Sequence, residues 1–164
     1  MKKLKLYINE KLFSIHNIFY VKDESEKDLY VISKKIFSLG SKISITDIKG
    51  NVLSNIDQEL FRFLSTYNIS INNELNFQIK KKFQLFKNDY VLSNGYSIVG
   101  NYFMFDFNIL DPSGKEIGKI SRKYFTIGDK YEVEIYDKKD VLFVLSVVAV
   151  IANDINKNQS SNND

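Results

Sequence analysis

Basic side chains are the residues of this 164-residue chain that first invite a chemical reading. A six-residue pattern recurs as EKLFSI from Glu10, KKIFSL from Lys34, QELFRF from Gln58, KKKFQL from Lys80, GNYFMF from Gly100 and RKYFTI from Arg122. Each copy puts a phenylalanine fourth, at Phe13, Phe37, Phe61, Phe83, Phe103 and Phe125. Two positions earlier stand Lys11, Lys35, Glu59, Lys81, Asn101 and Lys123, with Lys34, Lys80, Lys82 and Arg122 beside them. If equivalent strands carry these positions at one height, the cations form a broken ring. A cationic rim of that kind suits anionic lipid headgroups, at ~1 kcal/mol per basic residue near a charged membrane surface. The plainer reading is that lysines keep a β-rich exterior soluble and discourage aggregation.

Other chemistry finds little material. His16 is the single histidine, which leaves no histidine cluster for a metal and little general-base chemistry at neutral pH. Its position implies a solvated turn. Glu132 and Glu134 share one face of a strand, where a paired-carboxylate site is conceivable, but a solvated outer face next to Lys130 is the expectation. There is no cysteine, so disulfides and thiolate metal sites are excluded. The glycines make no phosphate-cradling loop, and Asp106, Asp111 and Asp129 fail the spacing of a calcium loop. We therefore expect neither an enzyme, nor a cofactor, nor a metal site. A net charge of +3 is too mild to imply a nucleic-acid partner.

The elements that must position these residues are short strands and one helix. Leu4, Leu6 and Ile8 alternate with polar or half-polar neighbours, and the same period of two recurs at Ile43 and Ile45, Ile69 and Ile71, Leu75, Phe77 and Ile79, and Tyr131, Val133 and Ile135. Turn residues separate these runs, among them Lys49-Gly50, Asn72-Asn73, Asn94-Gly95 and Asp111-Pro112-Ser113-Gly114. The repeated phenylalanine recurs about every twenty residues with two turns per period, which reads as one β-hairpin per repeat. Six hairpins make twelve strands.

Val141 to Ala152 is apolar throughout except for Ser146, with Asp140 closing it on one side and Asn153 and Asp154 on the other. It is too short to span a membrane and of the length of a core helix. A buried thirteenth strand is the competing assignment, since valines are frequent in it. We expect a helix over about 138–155, with Asp137 as N-cap and Asp140 in its first turn. A segment with no polar face must be surrounded. A twelve-stranded barrel leaves a central hole, because diameter grows with strand number, and a helix ~10–12 Å across would fill it. The expected fold is thus mainly β: a closed antiparallel twelve-stranded barrel, strands over about 4–136, around a buried C-terminal helix. A β-sandwich is the runner-up. Residues 1–156 form a single domain, and polar residues 157–164 a disordered tail. Basic residues at the N-terminus are not followed by an apolar stretch, so a cytoplasmic protein is expected.

Phe37-Ser38-Leu39-Gly40-Ser41-Lys42, the later Lys123-Tyr124-Phe125-Thr126-Ile127-Gly128-Asp129-Lys130-Tyr131, and the apolar helix together resemble the LURP-one-related family over about Lys3 to Asp154. That family is similar in fold to the tubby C-terminal domain and to phospholipid scramblases, and the resemblance implies a twelve-stranded barrel around a C-terminal helix. Tubby domains bind phosphoinositides, but no stretch here matches their lipid-contact motif, and no membrane-inserting tail of the scramblase kind follows the helix. Two functional expectations stay open. One is a non-enzymatic module that meets anionic phospholipid through Lys11, Lys34, Lys35, Lys80, Lys81, Lys82, Arg122 and Lys123, peripheral to a membrane. The other is a soluble scaffold that binds protein and no lipid. Lysines gathered on one side favour the first, an apolar patch away from them the second.

Overall fold

Alternating strands and a helix without a polar face have one arrangement that covers both. In a computed structural model, which describes residues 3–9, 17–84, 87–123 and 130–161, twelve strands form one antiparallel sheet. They are β1 (Leu4–Asn9), β2 (Ile18–Lys22), β3 (Asp28–Lys34), β4 (Lys42–Asp47), β5 (Val52–Gln58), β6 (Thr66–Ile71), β7 (Glu74–Gln84), β8 (Lys87–Leu92), β9 (Ser97–Asn101), β10 (Asp106–Leu110), β11 (Glu116–Lys123) and β12 (Lys130–Ile135). A 3-10 turn at Lys138–Asp140 leads into α1, Val141–Ser161.

The strand count is the one implied by six hairpins. β1 pairs with β12 in the register Leu4↔Ile135, Leu6↔Val133 and Ile8↔Tyr131. The two ends of the sheet, β8 and β9, meet at a seam outside the ladder, so the barrel is nearly closed. Aromatic rings line that seam: Tyr90 stands edge-on to Tyr102 with centroids 5.4 Å apart, and Tyr96 lies 4.5 Å from Phe143 of α1. Lys11, His16, Phe13, Phe125 and the Tyr124 to Asp129 segment lie outside the described residues, as do Asn162 to Asp164.

One face of each strand fills the barrel with residues such as Leu6, Ile45, Ile56, Ile69, Ile79, Phe107, Ile120 and Val133, all buried. α1 answers from the axis with Val144, Leu145, Val147, Val150 and Ile151, also buried. Each such side chain contributes about 1.5–3 kcal/mol relative to exposure. Gly118 lets the helix approach β11, because a Cβ there would lie 3.0 Å from Val144 Cγ2. Ser146, the one polar residue of the run, is satisfied inside: it donates to the Leu142 carbonyl at 2.7 Å, leaving Ser54 of β5 to donate to it at 2.9 Å. Asp137 caps the entry, its side chain accepting from the Lys139 N–H. Asp140 falls in the 3-10 turn instead of the first turn of α1, and burial raises its carboxyl above the usual range.

Two expectations need correction. The helix runs six residues past Ile155, so the tail expected to be disordered from Lys157 is helical as far as Ser161. No glycine or proline stops it, and a helix already nucleated inside a barrel propagates at little cost. At ~1.5 Å per residue its 21 residues span ~32 Å, against ~20 Å for a six-residue strand, so the last turns reach past the barrel's end. Leu75 does not share the inner face with Phe77 and Ile79 but is 67% exposed. A bulge between Ile69 and Ser70 pairs Ile69 with Phe77 and Ser70 with Leu75, which turns Leu75 outward. No helix is long and apolar enough to cross a membrane among the described residues.

Candidate functional site

The meander sorts every connection to one end of the barrel or the other. The β3–β4 loop (Lys35 to Ser41), the β5–β6 loop (Glu59 to Ser65) and the β9–β10 loop (Tyr102 to Phe105) share the end at which α1 emerges. Phe105 and Tyr102 pack inward, but most of the other apolar side chains on these loops are not folded in. Phe37 is 96% exposed, Phe61 103% and Phe63 98%, with Ile36, Leu39, Leu60, Phe103 and Met104 also exposed. Gly40 brings the first two loops together: its φ is +76°, and a Cβ there would meet Leu60 Cδ2 at 2.9 Å. Phe61 itself sits at φ +57°, an unfavourable value for a bulky side chain. The Arg62–Glu59 pair at 2.6 Å and the Asn68 and Gln78 amides on Glu59 Oε1 brace the base of that loop.

Behind the loops lies a buried polar cluster on α1. Asp154 is 2% exposed and accepts from the Tyr67 hydroxyl at 2.5 Å and the Tyr90 hydroxyl at 3.1 Å. The Lys81 ammonium stands 3.9 Å from the same carboxylate. Asn153 donates to Ser41 Oγ and to Tyr67 Oη, each at 3.0 Å. Burial, followed by the Asp154 charge, raises both tyrosine hydroxyls far above their ordinary range, so they remain donors. These two residues were expected to close the apolar run; instead they are its buried continuation, since α1 is still inside the barrel at that depth.

The expected ring of basic residues is split by strand alternation. Lys34 follows Ile32 on the inner face of β3, Lys81 follows Ile79 on β7, and Arg122 follows Ile120 on β11. Those three strands stand four apart around the twelve, so inward-turned cations divide the mouth into thirds. Lys35, Lys80 and Lys82 are exposed on the outside. Lys123 also faces outward and is ion-paired with Glu132 at 3.3 Å. The copies of the repeat are therefore not equivalent: Lys35 and Phe37 follow the end of a strand, whereas Lys81 lies within the longer β7. Lys157, which sequence reasoning put in a tail, joins the mouth from α1 and hydrogen-bonds Gln58 Oε1. Burial lowers the Lys34 ammonium below its ordinary value, and burial reinforced by the Lys34 charge lowers Lys157.

Glu132 is the other correction. It is only 5% exposed, beneath Lys5 at 3.5 Å, Lys123, and the Tyr7 hydroxyl at 2.9 Å. Burial opposes its charge, but Tyr7 and the two lysines outweigh that and hold the carboxyl below its usual range. Burial and the same carboxylate push the Tyr7 hydroxyl up to about 12. Lys130, the expected neighbour, pairs with Glu26. This is a clasp over the β1–β12–β11 junction, with Glu134 held separately by Lys3 at 3.2 Å. Among the described residues no three acidic or histidine side chains converge as a metal would require.

The arrangement is suited to contact, with aromatic tips outside and cations at and around the opening. The phenylalanine repeat is plain in the sequence, where it counts hairpins and aligns the basic residues but does not read as a contact surface. The signal that the rings of Phe37, Phe61 and Phe103 lie outside is their place in the connections after a strand, where its inner face has already ended.

Comparison with known proteins adds the lineage. The model of the family described as LURP-one-related matches residues 4–152. The chain is 28% identical over 149 residues to the uncharacterized protein YxjI of Bacillus subtilis (strain 168), covering 90% of this chain and 91% of that protein. An X-ray structure of a protein from Arabidopsis thaliana superposes with a TM-score of 0.69 at 17% identity, over 94% of this chain and 91% of the other, which shows a shared fold.

Proposed function

The chain belongs to the LURP-one-related family, and we propose that it is a non-enzymatic module whose loop-bearing end docks on membranes rich in anionic lipid. The observation that carries this is the set of nearly fully exposed rings of Phe37, Phe61 and Phe63 on two adjoining loops. Folding gives no reason to leave them in water, and an apolar patch with a charged border is typical of a docking surface. Lys35, Lys80 and Lys82 supply that border with positive charge, which favours an anionic bilayer over an apolar protein groove. The rings would enter the headgroup boundary while the lysines stay among the phosphates. In that role the protein is cytoplasmic and peripheral to the membrane.

Magnitudes rank the two contributions. Full burial of a phenylalanine is worth about 1.5–3 kcal/mol, and each lysine near the surface ~1 kcal/mol, so the rings dominate affinity and the lysines select the surface. Sedimentation with vesicles tests it. Acidic vesicles should carry the protein down and neutral ones should not, with binding weakening as salt rises. Replacing Phe37, Phe61 and Phe63 by alanine should weaken binding by at least about a hundredfold, and Lys80→Glu with Lys82→Glu by less. If acidic vesicles leave the protein in the supernatant at low salt, membrane docking is wrong and the loops serve a protein partner.

A further inference from the structure

We propose that Lys34 and Lys157 form a site at the barrel mouth for an anion bearing a phosphate monoester. Lys34 ends β3 facing inward and is half-buried, yet its ammonium has neither hydrogen bond nor ion pair among the described residues. Lys157 approaches from α1 and is held on Gln58 Oε1, at the end of β5 and two strands from β3. That oxygen also accepts the Ser41 N–H at 3.1 Å, so the amide is fixed from two sides. Asp154, the buried acid of α1, is already committed to Tyr67, Tyr90 and Lys81. A half-buried cation without a partner is costly unless an external anion completes it. Burial has already lowered both ammonium groups, and a bound anion would restore them.

The chemistry of the anion follows from the count of donors. Two ammonium groups suit a tetrahedral group with several acceptor oxygens better than a planar carboxylate. A phosphate monoester carries about −1.5 to −2 charge at neutral pH and offers more unesterified oxygens to the two lysines than a diester does. Such an anion could be free in solution or could be a lipid headgroup. The site needs no bilayer, so it goes beyond the docking role and fails independently of it.

The test uses the full chain. Thermal melting is followed with glycerol phosphate or inorganic phosphate against chloride at equal ionic strength. Sedimentation then compares vesicles containing phosphatidic acid with vesicles containing phosphatidylglycerol at matched charge. Stabilisation by soluble phosphate assigns a free anion; a preference for phosphatidic acid without solution binding assigns a headgroup; either supports the site. Lys34→Met should melt higher than the wild type without anion, because an unpaired desolvated charge is gone, and should weaken phosphate binding at least tenfold. Lys157→Met should weaken it too, which keeps the test open if Lys34→Met misfolds. Lys35→Met, one residue away and exposed, should change nothing. The site is overturned if phosphate does no better than chloride and phosphatidic acid no better than phosphatidylglycerol, or if both inner-lysine variants bind as the wild type does. The triple phenylalanine variant should retain solution binding, which separates this failure from that of membrane docking.

Discussion

The two ends of this barrel solve the same problem, reversing the chain between antiparallel strands, with different materials. At the end where α1 enters, the turns are minimal. Asp23 accepts the N–H groups of Ser25 and Lys27, Asp47 those of Lys49 and Asn51, and Asp111 those of Ser113 and Lys115. Asn72 and Asn73 at φ 53° and 66° make the tight hairpin there between β6 and β7. At the end where α1 leaves, the β3–β4 and β5–β6 loops are longer, carry exposed phenylalanines and enclose a polar cluster. The first end shows what closing a hairpin requires. Whatever the second end has beyond that, including rings in water and a half-buried unpaired lysine, is not explained by closure. The excess marks where function is to be sought.

Both ends hang on α1, so the largest expected effect comes from its middle. Val147→Lys places a charge at a fully buried position, at a cost of several kcal/mol against a total stability of ~5–15 kcal/mol. It should abolish soluble folding; a folded variant would place α1 on the surface and dissolve the distinction between the ends. Next comes Asp154→Ala, which strips the acceptor from two buried hydroxyls and the counter-charge from Lys81. We expect a loss of about 3–5 kcal/mol in denaturant unfolding, more than for Tyr90→Phe, which removes one donor and leaves the others paired. A loss under 1 kcal/mol would mean that the cluster does not tether the helix.

The turn end should respond to acid in a defined direction. Hydrogen bonds from Asn51 hold the Asp47 carboxyl below its usual range, and those from Ser113 do so for Asp111. Folded values below unfolded ones contribute stability above the unfolded pKa, which drains away as pH falls through the lower folded value. Asp47→Asn and Asp111→Asn should therefore lower Tm modestly at pH 7, and the difference from wild type should shrink away as pH falls through the lowered folded values. A difference that persists at low pH would assign the effect to something other than the charged turns. The smallest effect belongs to the loops: Phe37→Ala, Phe61→Ala and Phe63→Ala should leave Tm unchanged or raise it slightly at Phe61, where the positive φ is relieved of a bulky ring.

The asymmetry explains which features were legible in the sequence. Alternation at Leu4, Leu6 and Ile8, the repeated phenylalanine and the uniform apolar run of α1 are local patterns, and from them follow the strands, their number, closure and the buried helix. Asp137 as cap was legible for the same reason. Features decided by depth or by a partner strand were not. Asn153 and Asp154 look like a terminus until the barrel's height is known. Glu132 looks solvated until Lys5 of β1 and Lys123 of β11 are seen to close over it. Leu75 depends on a bulge whose cause lies in pairing. The basic residues were found as a set, but their split into inner and outer members needed the strand ends, because one residue of register reverses a side chain.

Absence of native cysteine makes the central claim directly measurable. An environment-sensitive fluorophore is attached to a single cysteine at Leu39→Cys, on the aromatic loops, or at Lys49→Cys, on a tight turn, both exposed positions. Acidic vesicles are then added. Docking by the aromatic end predicts a blue shift and protection from aqueous quencher at position 39, and no change at position 49. An equal response at both positions, or a response confined to position 49, would contradict it.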